Sequence, residues 1–86
     1  MNAYLLIEVS VGEGAFEHEF VNVSERSDAD KYALIAAFLK DLVEEGHDDL
    51  LDVDLSQLDF DLLEACDTIT LNGKVHVSAV YGVGTR

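Results

Sequence analysis

The sequence has few of the residues that would cross-link the chain or make it basic. It contains no proline and one cysteine, Cys66, so no disulfide can form within the chain, which fits a reducing compartment. The chain has five lysines and arginines but 18 aspartates and glutamates, which gives a formal net charge of −13. This shortage of cations excludes nucleic-acid binding through a basic surface and disfavours binding to anionic membranes.

Long apolar runs and targeting signals are also missing. No stretch approaches the roughly 18 apolar residues that a membrane-spanning helix needs. The first residues, MNAYLLIEVSV, lack a basic leading segment and are interrupted by Glu8, so we expect no signal peptide and a cytoplasmic protein. Because apolar residues still make up 49% of the chain, we expect one folded domain over residues 1–86 rather than a disordered acidic polymer.

The N-terminal segment has the composition of a β-hairpin. Residues 3–11 and 15–23 are rich in strand-forming residues and are separated by a glycine-containing break. Opposed residues of a hairpin share a face, so pairing Val11 with Phe16 predicts an apolar face that includes both Phe16 and Phe20. This register places three carboxylates together on the other face, those of Glu8, Glu17 and Glu19.

Residues 27–46 predict an amphipathic helix of about 17 residues. Ser27 followed by Asp30 forms an N-terminal capping pattern. Apolar residues recur at helical spacing as far as Leu42, and Gly46 lies where a left-handed residue commonly ends a helix.

Residues 47–66 fit more than one pattern. Their leucines match a helical stripe, but residues 51–55 also alternate between apolar and acidic side chains. We expect a loop or single turn at 47–54, followed by a short helix capped by Ser56 that runs to about Cys66.

Residues 67–83 predict a second hairpin around Asn72-Gly73. A three-residue loop, 71–73, with a left-handed Gly73 would pair Thr70 with Lys74 and keep the apolar residues on one face. The order of elements then predicts an α+β two-layer sandwich. An antiparallel sheet of about four strands (ββα(α)ββ) is covered on one face by the main helix, and its other face is open to water.

No residue pattern marks a catalytic or metal site. A calcium loop begun at Asp52 would need glycine at its sixth position, where Gln57 stands, and its twelfth position is Leu63. We expect His18 to lie in the core, on the apolar face of the first hairpin. We expect the thiol of Cys66, at the end of the short helix, to be buried and unreactive. The histidines and the cysteine lie in different elements without ligand spacing: His18, His47, His76 and Cys66. We therefore expect no enzyme activity, no metal and no cofactor.

Carboxylates are concentrated in the second half of the chain. Residues 41–67 hold eleven of them and no lysine or arginine. Carboxylates two apart on a strand recur every ~6.6 Å and those three or four apart on a helix lie ~5–6 Å apart. Phosphates along one DNA strand advance ~3.4 Å per nucleotide along the axis, with larger through-space separations. The sequence thus predicts a partner-binding surface made of Glu8, Glu17, Glu19, Asp48, Asp49, Asp52, Asp54, Asp59 and Asp61.

A small, proline-free, acidic α+β chain without a catalytic signature resembles the phage-encoded nucleic-acid mimics, among them anti-CRISPR and anti-restriction proteins. The residues that carry the resemblance are Glu17, Glu19, Asp52, Asp54, Asp59 and Asp61. The resemblance implies a non-enzymatic inhibitor that occupies the nucleic-acid-binding surface of a CRISPR effector or restriction complex.

The acidic composition also fits two alternatives. One is a small interaction or regulatory module whose charge serves solubility and faster encounter with a basic protein. The second is adaptation to high salt. An edge strand would also allow a homodimer formed by sheet extension.

Overall fold

The computed structural model describes residues 3–12 and 14–81, without the side chain of residue 81. It confirms the predicted α+β arrangement, in which two hairpins flank a helical region. Two short 3₁₀-helices, Asp48–Asp52 and Leu55–Gln57, connect the α-helices. The main elements are β1 Ala3–Ser10, β2 Phe16–Asn22, α1 Asp28–Glu44, α2 Phe60–Cys66, β3 Thr68–Leu71 and β4 Val75–Tyr81.

The four strands form one antiparallel sheet in the order β2-β1-β4-β3. The first and last strands along the chain therefore pair with each other in the middle of the sheet. Alternate residues of β1, namely Leu5, Ile7 and Val9, are buried, and their neighbours are only partly covered. This period of two matches a strand with one face against a core.

Helix α1 begins and ends as its sequence predicts. The Ser27 side chain accepts a hydrogen bond from the Asp30 N–H at 3.2 Å. At the other end, the N–H groups of Gly46 and His47 donate to the carbonyls of Val43 and Leu42, which is the Schellman arrangement. Gly46 has a φ of 111°, a conformation that a residue with a Cβ rarely adopts.

The core lies between one face of the sheet and the helical layer. Ile35, Leu39 and Leu42 of α1 are buried in one cluster with residues of the two central strands, including Ile7 and Val77. The connection between the α-helices closes this core from the side. The Tyr32 hydroxyl donates a hydrogen bond to the Leu58 carbonyl, and the rings of Tyr32 and Phe60 meet edge to face at 4.8 Å.

The register of the first hairpin differs by one residue from the predicted one. Phe16 pairs with Ser10 rather than with Val11, whose N–H instead donates to the Ala15 carbonyl. The prediction assumed that β2 buries one face, but every residue of this edge strand is exposed except Val21, which is half-buried. Because β2 buries little surface in either register, the turn rather than the core determines how β2 pairs with β1.

The one-residue shift reverses every side chain of β2. Phe16 and Phe20 lie on the open face of the sheet, 56% and 47% exposed, not on the core face. His18 also lies on the open face and is exposed, so the expectation of a core histidine was wrong.

The second hairpin keeps the predicted faces but not the predicted partners. Leu71 pairs with Val75 and Thr70 with His76, so the loop consists of residues 72–74 instead of 71–73. Asn72 and Gly73 both have positive φ, as in the type I′ turns that Asn-Gly favours, and the left-handed Gly73 is confirmed. Residues 82 and 83 of the predicted strand lie outside the described residues.

The short second helix is present, but it begins later than predicted. Asp59, not Ser56, is its N-cap, and the helix ends at Cys66 as expected. Residues 47–54, predicted as a loop or turn, contain the first 3₁₀-helix. Cys66 is exposed, so the expectation that its side chain is buried was wrong.

Candidate partner-binding surface

The carboxylates expected to form one surface lie in three places. Glu8 is on the open face of β1, whereas Glu17 and Glu19 are on the helix side of β2, opposite Val9 and Ile7. The predicted cluster of Glu8 with Glu17 and Glu19 was therefore wrong. Six aspartates lie along the helical connection and the start of α2: Asp48, Asp49, Asp52, Asp54, Asp59 and Asp61.

Strand β2 forms one edge of the sheet, whereas the chain continues from α2 into β3, the opposite edge. The Asp67 carbonyl, directly after α2, accepts a hydrogen bond from Ala79 of β4 at 2.9 Å. Strand β3 is the edge strand on the β4 side of the sheet, and it lies three strand spacings, or about 14 Å, from β2. Glu17 and Glu19, on β2, form one acidic edge, and residues 48–61, in the helical connection and the start of α2, form the main acidic segment.

Two aspartates of the acidic segment also shape its backbone. Asp54 accepts hydrogen bonds from the Ser56 hydroxyl at 2.6 Å and from the Ser56 N–H at 3.0 Å. These two bonds, the hydroxyl first, lower the pKa of Asp54 below its ordinary value, so its carboxylate stays charged in more acidic solution than an ordinary aspartate does. Asp59 accepts hydrogen bonds from the N–H groups of Asp61 and Leu62 at 2.9 and 3.2 Å.

A lysine ties the acidic segment to the sheet. Lys74, in the turn between β3 and β4, donates a hydrogen bond to the Asp49 carbonyl at 3.2 Å. Its ammonium group also lies 3.6 Å from the Asp49 carboxylate. The start of the acidic segment is therefore held in place by one of the five basic residues in the chain.

The cap formed by Asp59 gives a testable prediction about this segment. We expect Asp59→Ala to lower the free energy of unfolding by about 1 kcal/mol, because two N–H groups of the first helical turn lose their acceptor. Urea denaturation followed by circular dichroism measures the change. Asp52→Ala is the matched control, because it removes an equal charge from an exposed residue that caps no helix. Equal stability of the two variants would contradict the capping role.

An apolar groove lies beside the acidic segment and was not anticipated from the sequence. It has a volume of about 240 Å³ and opens between α1 and the 3₁₀-helices. Leu51, which is 71% exposed, forms part of its wall. The alternation of apolar and acidic residues at 51–55 was the available signal, since it places exposed aspartates next to groove-lining side chains. The groove is lined by Ala36, Leu39, Lys40, Val43, Leu50, Leu51, Val53 and Leu55.

The described residues contain no group of three or more His, Cys, Asp or Glu side chains arranged to hold a metal ion. Nor is any helix in residues 3–12 and 14–81 long and apolar enough to cross a membrane. What the geometry offers is an array of exposed carboxylates beside an apolar groove.

No protein-family model matches the sequence, and comparisons with curated proteins and with solved structures also give no match.

Proposed function

We propose that this protein is a non-enzymatic acidic binding protein that presents the carboxylates of residues 48–61 to a basic, nucleic-acid-binding surface of a partner protein. In the manner of a phage anti-CRISPR or anti-restriction inhibitor, it would act as a nucleic-acid mimic in the cytoplasm of the host cell. The observation that carries the proposal is the placement of six aspartates along a short stretch of helical backbone, in which Asp54 and Asp59 cap the second 3₁₀-helix and α2.

The charge balance supports an interaction with a basic protein. With five lysines and arginines against 18 aspartates and glutamates, at least 13 carboxylates have no basic side chain to pair with one-to-one. Ion pairs join Lys31 to Asp28 and Lys74 to Asp49, and the second of these pairs involves the acidic segment. The remaining negative charge attracts cationic surfaces and accelerates the encounter with them.

The spacing and rigidity of the acidic segment also suit a basic groove. Asp49 and Asp52 are three residues apart on a 3₁₀-helix, which places them on the same side with an axial rise of about 6 Å. This separation is on the scale of neighbouring phosphates, whose axial rise is about 3.4 Å and whose through-space distance is larger. Because caps and Lys74 already order the backbone, binding costs less conformational entropy than the ordering of a flexible acidic tail would.

The test is competition with DNA for a nucleic-acid-guided or DNA-cleaving defence complex. We expect wild-type protein to displace target DNA, with an apparent affinity that falls steeply as salt is raised. The double variant Asp48→Lys/Asp52→Lys should weaken competition by more than about tenfold, because it reverses two exposed charges in the acidic segment without removing a cap.

The matched control is Glu17→Lys/Glu19→Lys, which changes the net charge equally but on a different element, the edge strand β2. We expect this variant to compete nearly as well as wild type. Equal weakening by both variants would indicate an effect of net charge alone, and competition that neither variant changes would contradict the proposed surface.

The apolar groove favours a second candidate function, an interaction module that binds a basic amphipathic segment of a partner. Apolar anchors of such a segment would enter the groove, and its lysines or arginines would face Asp52 and Asp54. The substitution Leu51→Ser in the same competition assay separates the two functions. It should leave a purely electrostatic mimic unaffected and weaken a module that depends on apolar contact.

A further inference from the structure

The open face of the sheet carries an uncovered group of apolar side chains. The rings of Tyr4 and Phe20 are stacked, with their centroids 4.8 Å apart and their planes 11° from parallel. Leu6 pairs with Phe20 across the strands, and Phe16, on the same face of β2 as Phe20, is 56% exposed. Contiguous exposed aromatic residues on a small protein commonly mark an interaction surface.

This face carries few carboxylates for so acidic a molecule. Among the described strand residues that point to the open side, Glu8 is the one carboxylate, and its cross-strand neighbours are His18 and His76. His76 in turn contacts the Thr70 hydroxyl through Nδ1 at 2.8 Å. The other residues of the open face are uncharged: Tyr4, Leu6, Ser10, Phe16, Phe20, Asn22, Thr68, Thr70, Ser78 and Val80.

The uneven charge distribution restricts which partner fits this face. A basic protein is attracted to the acidic segment and the acidic edge, which lie on the helix side, and a nucleic acid is repelled by the molecule as a whole. Two copies of this chain repel each other through every acidic surface. They meet with the least repulsion when their open faces approach, and this approach also buries the exposed rings.

We propose that a second copy of the chain covers the open face, so that two sheets pack face to face in a symmetric dimer. Strands of eight, seven, four and seven residues give a face about 19 Å wide and at most about 23 Å long, which suits a weak dimer at the low end of the interface size range. A two-fold arrangement is self-complementary here, because each copy supplies one carboxylate, Glu8, and two imidazoles, His18 and His76. This dimer differs from sheet extension at an edge strand, and it leaves the acidic segment free.

Sedimentation equilibrium at neutral pH and physiological salt tests the proposal over a range of protein concentrations. We expect the wild-type chain to form a dimer and Phe16→Ser/Phe20→Ser to raise the dimer dissociation constant at least about tenfold. Circular dichroism of the variant establishes that it is folded, since both rings lie outside the core cluster.

The control variant is Leu51→Ser, which removes an apolar side chain that is more exposed than either ring but lies on the helix side. It should dimerise like wild type. A wild-type chain that stays monomeric up to millimolar concentration would overturn the proposal. A dimer that survives the loss of both phenylalanines would overturn it as well and would point to sheet extension or to the groove.

Discussion

Replacing Ile7 with alanine should lower the free energy of unfolding by about 2–5 kcal/mol, the usual range for deleting three buried carbon atoms from a packed core. Ile7 is fully buried and lies in the middle of β1, where Val77 of the neighbouring central strand pairs with it. A domain of this length has a total stability of only about 4–13 kcal/mol. The substitution therefore removes a large part of the stability and should shift the urea midpoint markedly.

Leu51→Ala provides the comparison for Ile7→Ala, because it truncates an aliphatic side chain that is 71% exposed. We expect its effect on the free energy of unfolding to stay within about 0.5 kcal/mol. Urea denaturation of both variants, monitored by circular dichroism, gives the two values. If both substitutions lowered the free energy of unfolding by similar amounts, Ile7 would not lie in the packed core.

Raising the salt concentration from 0.01 M to 0.15 M should raise the free energy of unfolding by about 2 kcal/mol, as the Debye length falls from about 30 Å to about 8 Å. Two carboxylates about 6 Å apart repel each other by about 0.7 kcal/mol in unscreened water, and the acidic segment contains several such neighbours. Because the unfolded chain relieves part of this repulsion by expanding, folding gains from screening. Thermal and urea unfolding at the two salt concentrations measure the effect.

The variant Glu17→Gln/Glu19→Gln is the control for the salt effect. It removes two charges without changing the shape of the exposed edge strand, and its stability should depend less steeply on salt. A chain that is unfolded at 0.15 M and folds only at molar salt would instead support adaptation to high salt. Stability that does not respond to salt would contradict a dominant role for carboxylate repulsion.

The elements whose ends are encoded locally could be predicted from the sequence. Helix α1 is the clearest case, because Ser27 and Gly46 mark its ends through hydrogen bonds to residues within one or two turns. The faces of β3 and β4 were also predicted, since Leu71, Val75 and Val77 are buried and alternate with polar residues. In both cases neighbouring residues carry the decisive interactions.

The parts that failed depended on burial, which a local pattern does not reveal. The register of β1 with β2 was chosen to keep Glu17 and Glu19 off the face of the aliphatic residues, but β2 is an edge strand that the helical layer leaves exposed. The start of α2 was assigned to the Ser56 pattern, although Asp59 offers an equally good cap and Asp54 makes a separate turn with Ser56. Leu58 and Phe60, on either side of Asp59, are both buried, and the sequence pattern alone did not show this.

The candidate surface was predicted in part. The acidic segment follows directly from the spacing of its aspartates, whereas the grouping of Glu8 with Glu17 and Glu19 failed together with the hairpin register. The alternation at residues 51–55 was a signal for exposed apolar side chains but not for the groove itself, because α1 and the first 3₁₀-helix line one groove only through their tertiary packing.

The pairing of β1 with β4 at the centre of the sheet has a consequence for how the chain acquires its structure. Residues 3–9 pair with residues 75–81, so the contacts that join the two hairpins span almost the entire described chain. Loops of this length close slowly relative to local turns, and the folding rate falls as the average separation of contacting residues grows. During synthesis, α1 and the first hairpin can form early, but the core becomes complete only after β4 has emerged from the ribosome.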